Sequence, residues 1–166
     1  MLRPFGKRRM ANTIRVLHVD DDPGVAELTA SFLTRADDRF EVETVAGADA
    51  ALERIDGSAV DCIVSDYDMP GRNGIEFLRA VRESYRTLPF ILFTGKGSEE
   101  VASEAVSAGV TDYLQKGTGT EQYDLLANRI TNAVSRNRAR TNYRELFEKA
   151  EVGLAIAHHE TGEIRD

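Results

Sequence analysis

Asp66 and Asp68 stand two residues apart at the end of a short apolar, β-branched run, Val60–Ser65. The loop that follows, Met69-Pro70-Gly71-Arg72-Asn73-Gly74, is dense in turn formers. Pro fixes φ and Gly permits positive φ, so the chain must bend there. Neighbouring carboxylates can bind a hard divalent cation, and a carboxylate can act as a nucleophile. A plainer role is equally available, since an aspartate at a strand end often caps the next helix. Three other strand-like segments also end in reactive residues. Ile14–Val19 ends in Asp20-Asp21-Asp22, Phe90–Phe93 in Thr94, and Asp112–Gln115 in Lys116. Lysine supplies a compact positive charge and threonine a hydrogen-bond donor.

The elements that must position these groups alternate along the chain. Strand one is Ile14–Val19, and a helix opens at Pro23 and carries Val25, Leu28, Phe32 and Leu33 at helical spacing to about Arg35. Phe40, Val42 and Val45 mark strand two; a short helix spans roughly Ala48–Ile55, stopped by Gly57. Strand three is Val60–Ser65, and Ile75, Leu78 and Val81 mark helix three. Strand four opens after Pro89. Val101, Ala105 and Ala108 mark helix four, stopped by Gly109. Strand five is Asp112–Gln115, and helix five starts near Tyr123 with Leu125, Leu126, Ile130 and Val134 on one face. Five such units predict right-handed βαβ crossovers and a parallel sheet covered on both faces. The expected class is α/β: a flavodoxin-like (βα)5 three-layer sandwich in strand order 2-1-3-4-5, with a C-terminal helical extension. In that order the strand ends share one edge around the switch point, where open α/β sheets place ligands.

The ordered motifs Val19-Asp20-Asp21-Asp22-Pro23, Ser65-Asp66-Tyr67-Asp68-Met69-Pro70-Gly71 with Gly74, Phe93-Thr94-Gly95, and Asp112-Tyr113-Leu114-Gln115-Lys116 resemble the response-regulator receiver domain. The resemblance covers residues 13–135. It implies that Asp66 is phosphorylated by a histidine kinase or a histidine phosphotransfer domain. It implies that Asp20, Asp21, Asp66 and the main-chain carbonyl of Asp68 hold Mg²⁺, or Mn²⁺ in its place. Thr94 and Lys116 would contact the phosphoryl group, and Tyr113 would be the switch aromatic. The residue types suit that chemistry. A carboxylate is a weak nucleophile toward an anionic phosphoryl donor, so positioning and charge stabilisation must do most of the work. Two positions depart from the family pattern: Gly117 stands where Pro with a cis bond is usual, and Gly95 where Ala is usual.

Several residues take plainer readings. Asp22 is read as a helix cap or first-turn residue, Lys96 as a solvated loop lysine, and His18 as packed within strand one. Cys62, the only cysteine, is read as a buried inert thiol. Asp66-Tyr67-Asp68 also matches the Asp-x-Asp nucleophile of haloacid-dehalogenase-type phosphatases, but there Asp-x-Asp comes first and the paired aspartates last; here the order is reversed. A non-phosphorylated, receiver-like binding module is the third reading. Gly95-Lys96-Gly97-Ser98 lacks the upstream Gly of a P-loop. His158-His159-Glu160 lacks the Leu-Arg-x-Pro continuation of a kinase phosphoacceptor. The formal net charge of −7 argues against a nucleic-acid surface, and no apolar run reaches transmembrane length. The expectation is a cytoplasmic signalling domain, not an enzyme in the ordinary sense, though it assists its own phosphotransfer and dephosphorylation.

Beyond the receiver the chain changes character. Residues 1–12 are expected as a disordered leader, basic at Arg3, Lys7, Arg8 and Arg9 but with no apolar core of a signal peptide. Residues 136–150 are expected as a helical linker, rich in arginine at Arg136, Arg138, Arg140 and Arg144. Val152–Ala157 reads as a strand, Glu160–Glu163 as a turn, and Ile164 as the start of another strand. Residues 151–166 thus resemble the opening of a PAS sensor domain, cut short, since such a domain needs about 100 residues to close a core. The resemblance implies a fragment of a receiver–PAS protein, in which a downstream PAS or kinase module is the partner within the same parent chain. It further implies a phosphorylation-dependent homodimer as one output. Few lysines among many acids suit a salt-adapted, haloarchaeal source.

Overall fold

The protein is described by a computed structural model over residues 12–95 and 97–161. Apart from Asn12, the expected leader lies outside the described residues, as do Lys96 and the expected turn and strand at Gly162–Ile164. Five strands and five helices alternate: β1 Ile14–Val19, α1 Pro23–Ala36, β2 Phe40–Val45, α2 Ala48–Gly57, β3 Cys62–Ser65, α3 Gly74–Ser84, β4 Phe90–Thr94, α4 Glu99–Ser107, β5 Asp112–Gln115 and α5 Glu121–Thr161. All neighbouring strands pair in parallel, in the order β2-β1-β3-β4-β5. This is the flavodoxin-like arrangement expected from the alternation.

Side chains along a strand point alternately to the two faces. That alternation deals the apolar residues into two cores. Ile14 and Val16 of β1 join Cys62, Val64, Ile91 and Phe93 beneath α1 and α5, whose Ala30, Leu33, Leu126, Ile130 and Val134 complete the cluster. Leu17 and Val19 join Ile63, Phe90 and Leu92 beneath α2, α3 and α4, which supply Ala51, Ile55, Ile75, Leu78 and Ala105. Each fully buried Leu, Ile or Val contributes about 1.5–3 kcal/mol. The central strands β3 and β4 are therefore nearly continuous apolar runs, as parallel strands covered on both faces tend to be, whereas β1 also buries Arg15 and His18.

Several boundaries and faces differ from the sequence expectation. β3 begins at Cys62 and not at Val60, and Gly57 is the last residue of α2. Leu28 and Leu125 are exposed; α1 buries Ala26, Thr29, Ala30 and Leu33, and α5 buries Tyr123, Leu126, Ala127 and Ile130. The largest difference is at the C-terminal end. The strand expected at Val152–Ala157 is helix, because α5 runs to Thr161. A strand needs a partner edge, whereas a helix satisfies its own backbone. The run Arg144–Glu151 is made of helix formers, with no proline to break it.

The chain divides into two units, residues 1–134 and 135–166. In the second, Tyr143, Leu146 and Phe147 are exposed, and the rings of Tyr143 and Phe147 stack with centroids 6.3 Å apart.

Candidate functional site

Strand register assembles the site. Val19 pairs with Ser65, Ser65 with Leu92, and Thr94 with Gln115, so the residues just past these pairs meet at one rim. The Asp66 amide donates to the Val19 carbonyl and the Lys116 amide to the Thr94 carbonyl, at 2.9 Å each. Asp20, Asp21, Asp22, Val25, Asp66, Asp68, Thr94, Gly95 and Lys116 line a cleft of about 340 Å³. Tyr113, on β5, is not among its lining residues.

Asp20 is the buried anchor. Its Oδ1 accepts the Asp22 amide at 2.9 Å, and its Oδ2 lies 3.2 Å from the Lys116 ammonium. The same ammonium lies 3.8 Å from Asp66 Oδ2. Asp66 Oδ1 accepts the Tyr67 amide at 2.8 Å, which leaves Oδ2 directed to the lysine side. The Thr94 hydroxyl also hydrogen-bonds the Asp66 carboxylate. Burial raises the pKa of Asp66 above the usual carboxylate range; Lys116 opposes this and the Asp20 charge adds to it. Asp22 is the N-cap of α1, accepting the amides of Gly24 and Val25, so its plainer reading holds.

Ligand oxygens of Asp20, Asp21 and Asp66 lie within 4.8 Å of one another. One ammonium among three carboxylates leaves the cluster net negative. Two carboxylates about 4 Å apart repel by roughly 4 kcal/mol at an effective dielectric of about 20. All-oxygen donors with excess negative charge fit a hard divalent cation such as Mg²⁺. A neighbouring cavity of about 380 Å³ shares Asp20 and Asp21, but Pro23, Ala26, Glu27, Thr44, Val45 and Ala46 form its other walls. It offers no cation to an anionic substrate, so the chemistry belongs to the cleft that holds Lys116.

Gly74 shapes the site in a way its sequence context conceals. Asn73 and Glu76 form a capping box that starts α3, and the only positive φ in this loop is at Gly71. Gly74 is glycine because a Cβ there would collide with the Asp66 carbonyl oxygen and come within 2.9 Å of Tyr67 Cα. Gly117 also has a specific role. Its amide donates to Gln122 Oε1 at 3.1 Å, and Gln122 Nε2 donates to the carbonyls of Gly117 and Gly119. A proline at 117 would lack that donor. No cis peptide occurs among the described residues.

His18 is buried in β1, its Nδ1 has no hydrogen-bond partner among the described residues, and burial lowers its pKa to about 4. It is neutral at pH 7 and closed off from any phosphodonor. Cys62 is a free, fully buried thiol whose pKa burial pushes up, so it is the inert residue expected.

Comparison with known proteins agrees with this geometry. The family model of the response regulator receiver domain matches residues 16–128. The chain belongs to that family. Over 98 residues it is 34% identical to the transcriptional regulatory protein FixJ of Bradyrhizobium diazoefficiens, covering 59% of this chain and 47% of FixJ. It is 30% identical to the transcriptional regulatory protein MalR of Bacillus subtilis, covering 84% of this chain and 62% of MalR. The chain thus spans about half the length of such relatives. Among solved structures, the chemotaxis protein CheY4 of Vibrio cholerae superposes with a TM-score of 0.65 at 32% identity, covering 71% of this chain and 98% of CheY4. A CheY-like receiver domain protein of Methanospirillum hungatei gives 0.69 at 26% identity, covering 77% and 98%. The protein is a two-component signalling domain, and receiver domains accept phosphate from histidine kinases. Among the described residues no helix is long and apolar enough to cross a membrane.

Proposed function

We propose that Asp66 is the phosphoacceptor. The observation that carries this is the register that brings Asp20, Asp21, Asp66, Thr94 and Lys116 from four strand ends into one cleft. In the transfer, a phosphohistidine N–P bond breaks and a carboxylate oxygen of Asp66 forms the new O–P bond. The phosphoryl group carries no new proton, and the donor histidine regains its free nitrogen. Asp20, Asp21, Asp66 and the Asp68 main-chain carbonyl are the candidate ligands for Mg²⁺ or Mn²⁺. When bound, that ion neutralises charge on the phosphoryl oxygens. Lys116, 3.8 Å from Asp66 Oδ2, can pair with another of these oxygens. The Thr94 hydroxyl, bonded to Asp66 at rest, can turn to the phosphoryl group and draw the following loop with it. Tyr113 reads that movement. The same groups can orient water for hydrolysis of the acyl phosphate.

We further propose a cytoplasmic parent chain in which residues 136–166 lead to a PAS-like or kinase module, with phosphorylation-dependent dimerisation as one output. The resemblance of residues 151–166 to the opening of a PAS domain supports the module, although the expected Val152–Ala157 strand is helix, and the arginine-rich continuation of α5 supports a helical connector.

The central test uses a small phosphodonor with Mg²⁺. Intact mass should gain one acid-stable, base-labile phosphoryl group, which peptide mapping places on Asp66. Asp66→Asn should gain none. Labelling of Asp66→Asn at the wild-type level would overturn the assignment.

A further inference from the structure

Six large apolar side chains are exposed among the described residues. Leu28, Val106 and Leu125 are scattered over three helices, whereas Tyr143, Leu146 and Phe147 fall within five consecutive positions of the second unit. Scattered apolar residues are ordinary on a surface, but a contiguous patch marks an interaction site. At 3.6 residues per turn, Ala139, Tyr143, Leu146, Phe147 and Ala150 share an arc of about 100°. All five are exposed, and the Tyr143 and Phe147 rings stack along the stripe. A stripe with three- and four-residue spacing is the seam by which one helix packs on another. Its charges are polarised along the helix. Residues 135–144 hold four arginines and no acid, whereas residues 145–151 hold Glu145, Glu148 and Glu151 against one lysine. Arg140, Arg144 and Glu148, all exposed, follow one another at four-residue spacing beside the stripe.

We propose that residues 139–150 are a self-association surface, on which a second copy of this chain packs its own α5 antiparallel about Leu146. A two-fold pair presents the same patch from both copies, so the charges of the patch must complement themselves. In a parallel pair the arginine-rich stretches of the two copies lie side by side and repel. Reversing one helix lays Arg140 and Arg144 of each copy along the acidic stretch of the other. About Leu146, Arg144 then meets Glu148 of the second copy, and the contact occurs twice. The apolar stripe supplies the contact, and the charge pattern sets its direction. A surface for an unrelated protein would need no such self-complementarity. Nothing in the pairing uses Asp66, so it is separate from the phosphorylation-dependent association proposed above.

The test uses the full chain without phosphodonor. Sedimentation at up to about 100 μM, enough for a small transient interface, should show a reversible dimer. Phe147→Glu should weaken it by about tenfold or more, and Asp66→Asn should leave it unchanged. Arg144→Glu and Glu148→Arg should each self-associate less. Mixed together they should form a heterodimer about as tight as the wild type, because both opposed pairs regain opposite signs. An Arg144–Glu148 pair within one helix cannot be restored by mixing. Single cysteines then read the direction, since Cys62 is buried. A short bis-maleimide should link two copies of Leu146→Cys. It should not link two copies of Ala139→Cys, whose thiols lie about 20 Å apart along an antiparallel pair. These helix positions are exposed, so folding is not at issue. A monomer throughout the concentration range, a dimer indifferent to Phe147→Glu, or loss of the dimer in Asp66→Asn would overturn the proposal. So would mixed variants no tighter than either alone, or equal cross-linking at 139 and 146.

Discussion

Single residues in this protein are chosen by what approaches them from other elements. Gly74 is the clearest case, since the backbone of Asp66 and Tyr67 occupies the space a methyl group would need. Gly74→Ala is expected to destabilise by roughly 3 kcal/mol, the upper end for overpacking against rigid backbone. It should also slow phosphorylation in the folded fraction by displacing Asp66. Urea unfolding and initial labelling rates check both. Gly95→Ala, by contrast, meets open space. It should be neutral or stabilise by about 0.4–1 kcal/mol through the unfolded chain, as the shift of the thermal midpoint will show. What could be read from sequence follows the same division. Asp20, Asp66, Thr94 and Lys116 are visible because each stands at the end of a strand-like segment, and strand ends converge. Gly74 and Gly97 are visible only as turn formers, because their partners, Asp66 and Tyr113, approach through tertiary packing.

At the scale of elements, Arg82 is a tie that periodicity does not show. Its Nε donates to the Gly109 carbonyl after α4, and one terminal nitrogen donates to the carbonyls of Tyr85 and Leu88 between α3 and β4. The other terminal nitrogen reaches Thr111 Oγ1, which also accepts the Phe90 amide. One guanidinium thus fixes the end of α3, the entry to β4 and the turn into β5. Lysine cannot span that fork. Arg82→Lys should cost about 2 kcal/mol, with hydrogen exchange accelerated first at Gly109–Thr111. Uniform acceleration across the sheet would contradict the local role. In sequence Arg82 is an ordinary exposed-face residue of an amphipathic helix. The misplaced stripe residues Leu28 and Leu125 have a related cause. Helical spacing defines a face several residues wide, and only the neighbouring strands decide where its edge falls. Val152–Ala157 was ambiguous for another reason: a short apolar run suits strand or helix alike until a partner edge is present or absent.

For the molecule as a whole, the acidic rim stores repulsion that a cation should relieve. Mg²⁺ at a hundredfold excess over its dissociation constant should stabilise the fold by about 2.7 kcal/mol. Asp21→Asn, which removes an exposed charge from the cluster and leaves the Asp20–Lys116 pair, should raise stability without metal and weaken the response to it. Thermal unfolding at fixed ionic strength checks this, and an equal Mg²⁺ response in both proteins would place the ion elsewhere. The register that builds the rim also sets when it can exist. Asp20 and Lys116 are 96 residues apart in the chain, and Asp66 lies between them. Closing such distances is entropically costly and comes late in a parallel sheet. The rim should therefore be absent from the folding transition state. Added Mg²⁺ should then leave the refolding arm of the chevron in place and lower the unfolding arm, because it binds only what has already closed. The ion would act as a latch on the finished fold, lengthening its lifetime without hastening its formation.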